Sequence, residues 1–139
     1  MTTAIELATV QWSDIPHLVE LARPLPIRSD DAINKFRILW CLDFGHLLIL
    51  RDGNDGHITG YAELYLLNDI PDYPVKPLPM SEDKGRFLYC YVASCEDGKI
   101  NALTRLAFER FPQVNEILYH RIKRGVKLVT IKRKGPHHA

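Results

Sequence analysis

The order of hydrophobic periods along the chain predicts an α/β fold: a central mixed, mostly antiparallel sheet, two helices ahead of it, and one helix crossing between two of its strands. Three features carry that expectation. Two segments with apolar residues at three- and four-residue spacing come first. A hairpin pattern follows, with strand-forming runs on either side of Asp52-Gly53-Asn54-Asp55-Gly56. Later, a strand, a glycine turn and a helix lead into another strand, the order of a βαβ crossover. At 139 residues the chain has the length of one domain, expected to span 1–134 with 135–139 as a tail. Its 46% hydrophobic and 25% charged residues exclude a disordered or fibrous chain.

The first helix is expected to start from a Ser13 cap, with Ile15, Leu18, Val19 and Ala22 on one face and Pro16 tolerated in the first turn. It should end near Arg23, because Pro24-Leu25-Pro26 resists helical continuation. Ser29-Asp30-Asp31 offers the next cap, and Ile33, Phe36, Leu39 and Trp40 form the predicted buried stripe of a second helix that stops at Gly45. Leu47 to Leu50 and Ile58 to Leu67 read as a hairpin. A ladder centred on Asn54 would pair His46 with Ala62, which keeps His46 and His57 apart. Between Asn68 and Gly85, Pro71, Pro74, Pro77 and Pro79 suit an irregular loop that covers something.

Arg86 to Cys95, with Phe87, Tyr89, Tyr91 and Val92, is the most strand-like segment and is expected at the sheet's centre. A third helix follows, burying Ile100, Leu103, Leu106, Ala107 and Phe111 and closed by Pro112. Val114 to Ile122 and Val126 to Lys132 complete the order as strands turned at Arg124-Gly125.

No apolar run approaches the ~18–20 residues of a membrane helix, and no basic region followed by an apolar stretch marks a signal peptide, so a cytoplasmic setting is expected. Cys41, Cys90 and Cys95 are odd in number and lack metal spacing, which points to reduced thiols and to no metal site. Charge is unevenly placed. Up to Glu116 stand 17 acids and 11 basic residues; beyond it stand seven basic residues and no acid. That basic end suits an acidic protein partner, or a solvated face. Nucleic acid is disfavoured, because Tyr119 is the only aromatic among the cations and a stacking platform needs several.

The paired N-terminal helices, the hairpin ending around Gly60-Tyr61-Ala62-Glu63, and the strand Tyr89 to Cys95 running into a glycine turn and helix together resemble the GNAT superfamily of acyl-CoA-dependent N-acyltransferases. The family motif is Gln or Arg, two residues, Gly, one residue, then Gly or Ala. Here it corresponds to Cys95-Glu96-Asp97-Gly98-Lys99-Ile100, which keeps the first glycine. Family members usually place a helix with an Asn and a Tyr after the next strand, whereas this chain passes through Lys123-Arg124-Gly125 to another strand. In this reduced form it also resembles the toxin-activating lysine acyltransferases, whose Asp is matched by Asp97 and whose His is matched only poorly by His17, and small phage-encoded GNAT-like proteins.

The resemblance implies a GNAT-like fold, an acyl-CoA or other thioester donor held by Ser94, Cys95, Gly98, Lys99 and Ile100, and a small-molecule or protein amine as acceptor. It leaves open a non-catalytic phage virion or assembly protein on the same fold, located in the virion. A helix N-terminus carries unpaired N–H groups and partial positive charge, so the amides of Gly98, Lys99 and Ile100 suit a diphosphate. Lys99 adds a cation, while Glu96 and Asp97 oppose an anion. The alternative is that Asp97 caps the helix and Gly98 only eases the turn. Parting of the parallel strands near Ser94 and Glu116 would signal a cofactor slot, and a continuous ladder there would favour a scaffold.

N-acyl transfer needs a base for the amine, donors for the oxyanion and an acid for the thiolate. Glu63 is one candidate, its pKa rising by desolvation if it faces a cleft, and an exposed strand carboxylate otherwise. His120 as base and Tyr119 as acid are the others, on opposite faces of the penultimate strand. Cys90 or Cys95 suits a nucleophile only with a histidine in hydrogen-bond reach, and a small packing residue otherwise.

Overall fold

The structure, a computed structural model, describes residues 10–23, 30–96 and 98–134. Pro24 to Ser29, Asp97 and the 135–139 tail, each given a role above, lie outside the described residues. One 3₁₀ turn (Trp12–Asp14) leads into α1 (Ile15–Ala22) and α2 (Asp31–Phe44). The hairpin β1 (His46–Arg51) and β2 (Ile58–Leu67), the strand β3 (Phe87–Cys95), the helix α3 (Ile100–Arg110) and a second hairpin, β4 (Glu116–Arg121) and β5 (Lys127–Lys132), complete the order. The sheet order is β1-β2-β3-β4-β5, antiparallel except for the β3–β4 pair that α3 bridges.

α1 and α2 cover one face of this sheet and α3 the other. Leu18, Ile38, Ile49, Tyr61 and Val92 pack together on the first face; Leu48, Leu64, Leu88, Leu103, Ala107 and Ile117 pack on the second. Alternation along the strands sends neighbours to opposite layers, which is why β2 is buried from Thr59 to Leu67 without a break.

Several local expectations need correction. Ser13 sits inside the 3₁₀ turn; Asp14 organises the start instead, its carboxylate accepting from the Gln11 N–H at 2.9 Å. Asp30 caps α2, accepting from the Ile33 N–H at 2.8 Å. The buried side of α2 is Asn34, Arg37, Ile38 and Cys41, whereas Ile33 and Phe36 are 54% and 59% exposed. A buried ion pair between Arg37 and Glu63 turns the helix, so that a stripe containing two polar residues faces the sheet. On α3, Phe108 rather than Ile100 completes the buried face. The hairpin pairs His46 with Leu64, two residues from the expected partner, because the ladder is irregular at Leu50/Arg51 and centred farther along the turn.

The 68–85 loop is tied down at several points. Ser81 N–H donates to Phe44 O, Glu82 N–H donates to Leu66 O, and the Trp40 indole N–H donates to Pro79 O, all at 2.8 Å. Its Val75 is buried against Tyr89 and Leu118. The basic end is not uniformly free either. Arg133 donates to Phe108 O, Phe111 O and Val114 O at 2.8–3.0 Å, closing the C-terminal end of α3, and lies 4.7 Å from the Phe108 ring.

Candidate active site

Two irregularities in β3 create the site. Between Glu63 and Leu64 the β2–β3 register slips, so that Glu63 faces Val92, Leu64 faces Cys90, and Tyr91 is the extra residue of a bulge. Tyr91 and Val92 therefore both pack toward α1 and α2, while Cys90 and Ala93 pack toward α3. On its other edge, β3 pairs with β4 only at Leu88↔Ile117 and Tyr89↔Leu118. Beyond those pairs the parallel strands splay. The parting that signals a slot is thus present, but Glu116 lies at the joined end; the opening begins at Cys90 and Tyr119.

A cavity of about 510 Å³ fills this gap and reaches both faces of the sheet, with Ile100, Leu103 and Thr104 of α3 on one side and Tyr73, Pro74 and Val75 of the loop on the other. That volume lies within the ~300–1,000 Å³ of small-molecule sites. The loop therefore covers the mouth on the α1/α2 face.

α3 starts at the wide end of the gap. Its first helical hydrogen bond runs from Leu103 N–H to Lys99 O at 3.0 Å, so the N–H groups of Ile100, Asn101 and Ala102 precede it. Lys99, the N-cap residue, makes no side-chain hydrogen bond to the turn among the described residues. Its own N–H is engaged, donating to Glu96 O at 3.1 Å, so of the three amides expected from the sequence Lys99 does not offer its own. Gly98 has φ +81° with open space where a Cβ would stand, a left-handed turn that favours glycine. Ile100 lines the cavity; Ser94 and Cys95 lie off its wall, and the Ser94 hydroxyl donates to Leu21 O at 2.7 Å.

Glu96 is less adverse to an anion than its charge suggests. Its Oε2 lies 3.2 Å from His57 Nε2, and His57 Nδ1 lies 2.6 Å from Asp55 Oδ1. The hydrogen bond to Asp55, with Glu96 adding to it, holds the His57 pKa above its ordinary value. At the same end Arg121 and Lys123 line the rim, which sequence reading had assigned only to a general basic patch.

The candidate acid–base residues separate cleanly. Tyr119 and His120 both line the cavity, from opposite faces of β4. His120 Nδ1 lies 2.6 Å from the Tyr89 hydroxyl, and its ring stands 5.6 Å from that of Tyr73. Burial lowers the His120 pKa below its ordinary 6.5, with Asp72 acting in the other direction. Burial raises that of Tyr89, so its phenol stays protonated. Two tautomers satisfy the contact. The one that donates from Nδ1 to the phenol oxygen leaves the Nε2 lone pair open, which a base requires.

Glu63 is elsewhere. It is fully buried on the α1/α2 face and is not part of the cavity wall. Arg37 Nε donates to both its carboxylate oxygens at 2.9 and 3.1 Å, and the Tyr61 hydroxyl donates to it at 3.0 Å. Burial pushes its pKa up, opposed by Arg37. This carboxylate is part of an internal ion pair, neither the cleft base nor the exposed strand acid considered from sequence. Burial likewise pushes the Cys90 thiol up to about 12, and its S–H donates to Val92 O at 3.5 Å, which disqualifies it as a thiolate nucleophile at neutral pH. His17 is exposed on α1, 3.8 Å from Glu20 and off the cavity wall.

Tyr73 carries no signal in the sequence, Tyr89 reads there only as a strand residue, and Arg121 and Lys123 only as part of the basic end. The alternation that places Leu118 against the α2 layer also puts His120 on that face, and the register pairing Tyr89 with Leu118 brings it beside Tyr89.

No family model and no curated protein matches the sequence. Solved structures do resemble the fold. One is a histone acetyltransferase HPA2 and related acetyltransferase from Corynebacterium glutamicum, at 18% identity and TM-score 0.54, covering 86% of this chain and 77% of that one. Arabidopsis thaliana NAA60 in complex with acetyl-CoA gives 14% identity and TM-score 0.52, covering 87% and 76%. The GphF GNAT-like decarboxylase in complex with isobutyryl-CoA gives 13% identity and TM-score 0.53, covering 86% of this chain and 65% of that one. At these identities the likeness establishes a GNAT-like fold. Among the described residues no helix is long and apolar enough to cross a membrane.

Proposed function

We propose that the chain is an acyl-CoA-dependent N-acyltransferase that binds its donor between β3 and β4 and takes an amine from the α1/α2 face. The observation that carries this reading is the parting of two parallel strands beside a helix start whose first-turn amides precede any helical acceptor. A diphosphate would sit at the N–H groups of Ile100 to Ala102, with Lys99, Arg121 and Lys123 supplying positive charge. The thiol arm would run along the β3 edge left open beyond Tyr89, where backbone N–H groups are available to the thioester oxygen.

On the opposite face Asp72 and the tyrosines Tyr73 and Tyr89 surround His120, a setting that attracts an ammonium ion, which gives one proton to solvent and reacts as the neutral amine. The amine nitrogen attacks the thioester carbonyl carbon, a C–N bond forms, and the C–S bond breaks. The amine proton passes to His120 Nε2, and the thiolate is protonated by the Tyr119 hydroxyl on the donor side. Complexes of NAA60 with acetyl-CoA and of the GphF decarboxylase with isobutyryl-CoA support a CoA-type donor on this fold. Since one fold serves several reactions, the assignment to transfer rests on the site residues.

Thermal unfolding with acetyl-CoA tests the reading. Ligand at about 100 times its dissociation constant adds about 2.7 kcal/mol of stability, so the expected result is a rise of several degrees in Tm. An unchanged Tm at millimolar acetyl-CoA and millimolar free CoA would leave the donor without a seat.

A further inference from the structure

The cavity does not end at the gap between β3 and β4. On the α3 face it continues sideways across β3 and β2 as far as Leu48 of β1, two strands from the gap. Leu48 pairs with Ala62, and Ala62 pairs with Ala93, so these three form one row across the sheet beneath the middle of α3. Above the row stand Leu103 and Ala107. The branch exists because alanines meet across a layer that leucines fill elsewhere.

Its lining restricts what enters. Leu48, Ala62, Leu64 and Ala107 border the space and are only 2–4% exposed, so they form its closed apolar end. None of these side chains carries a polar atom, so a charged or hydrogen-bonding group would lose its water without replacement. The branch joins the main cavity at Cys90, the first β3 residue beyond the paired segment, next to the narrow end of the gap where the reacting end of a donor would lie.

We infer that this branch seats the hydrocarbon chain of the donor, and that the substrates are straight-chain acyl thioesters longer than acetyl. The inference rests on the donor site proposed above and adds the class of acyl group it takes. Each methylene moved from water into the branch tightens binding by up to about fourfold until the space is filled.

The experiment measures dissociation constants of acetyl-, butyryl-, octanoyl- and dodecanoyl-CoA by calorimetry for the wild type, for Ala107→Leu and for Ala93→Val. Ala107→Leu plugs the branch from above. Ala93→Val narrows it from below at a half-buried strand position that suits a β-branched side chain. The expected result is octanoyl-CoA binding at least tenfold tighter than acetyl-CoA in the wild type, with that ratio collapsing toward one in both variants. Acetyl-CoA binding with no gain from longer chains would overturn the inference while sparing the donor site. An equal gain in the wild type and both folded variants would overturn it too, by placing the chain elsewhere. Failure of every thioester, acetyl-CoA included, would remove the donor site and this inference together.

Discussion

Replacing His120 by glutamine is expected to lower kcat/KM for acyl transfer by about 10²–10⁴-fold, the usual contribution of a positioned acid–base group. The measurement is thiol release from acetyl-CoA with a lysine-containing peptide as acceptor. His120 is partly exposed and its ring touches Tyr89 and Tyr73, so the substitution leaves the buried layers intact. The pH profile makes the test specific. A base must be unprotonated to act, and burial holds the His120 pKa below 6.5. Wild-type kcat/KM should therefore rise with pH through an acid limb whose midpoint lies below about 6.5. In His120→Gln that limb should vanish along with the rate. A glutamine variant retaining both would assign proton transfer to another group.

The second large effect concerns stability. Arg37→Met should cost about 3–5 kcal/mol, because Glu63 would remain buried with its countercharge gone. For a domain whose total stability is about 5–15 kcal/mol this is a large part of the whole. Chemical denaturation reads the loss directly. Removing both charges, as Arg37→Met with Glu63→Leu, should recover part of it, since a buried pair is often replaceable by apolar side chains. Recovery stays incomplete because the Tyr61 hydroxyl, 3.0 Å from Glu63 in the wild type, loses its acceptor. An Arg37→Met variant as stable as wild type would mean that Glu63 reaches solvent or another cation.

These two residues also mark what the sequence could reveal. The element order and type were legible because each rests on local signals: apolar spacing in α1 and α3, turn residues between β1 and β2, β-branched and aromatic residues in β3. Facing was legible only where burial follows hydrophobicity. In α2 it does not. Ile33 and Phe36 look like the core side, yet Arg37 turns inward because a carboxylate 26 positions later awaits it. Nothing local in α2 announces that partner.

Within the site, the glycine turn and the helix start were readable from Gly98 and the following apolar residues, and His120 and Tyr119 from their strand. The bulge at Tyr91 was not. It depends on how β2 and β3 slide past one another, and it resets which residues face α3. The role of Tyr89 was equally hidden: the β3–β4 neighbourhood was expected, but which residues stand opposite one another depends on the register that pairs Tyr89 with Leu118. The acid at Glu96 read as an obstacle to phosphate until His57, from a distant hairpin, came within 3.2 Å of it.

The most direct test follows backbone amide resonances of the isotopically labelled protein while acetyl-CoA is added. The donor seat requires the largest shifts at Ile100, Asn101 and Ala102 and along β3 from Cys90 to Ala93, with smaller ones at Arg121 and Lys123. Shifts confined to the 123–134 cations, fading as salt is raised and leaving the start of α3 untouched, would show charge attraction alone and contradict a donor site between β3 and β4.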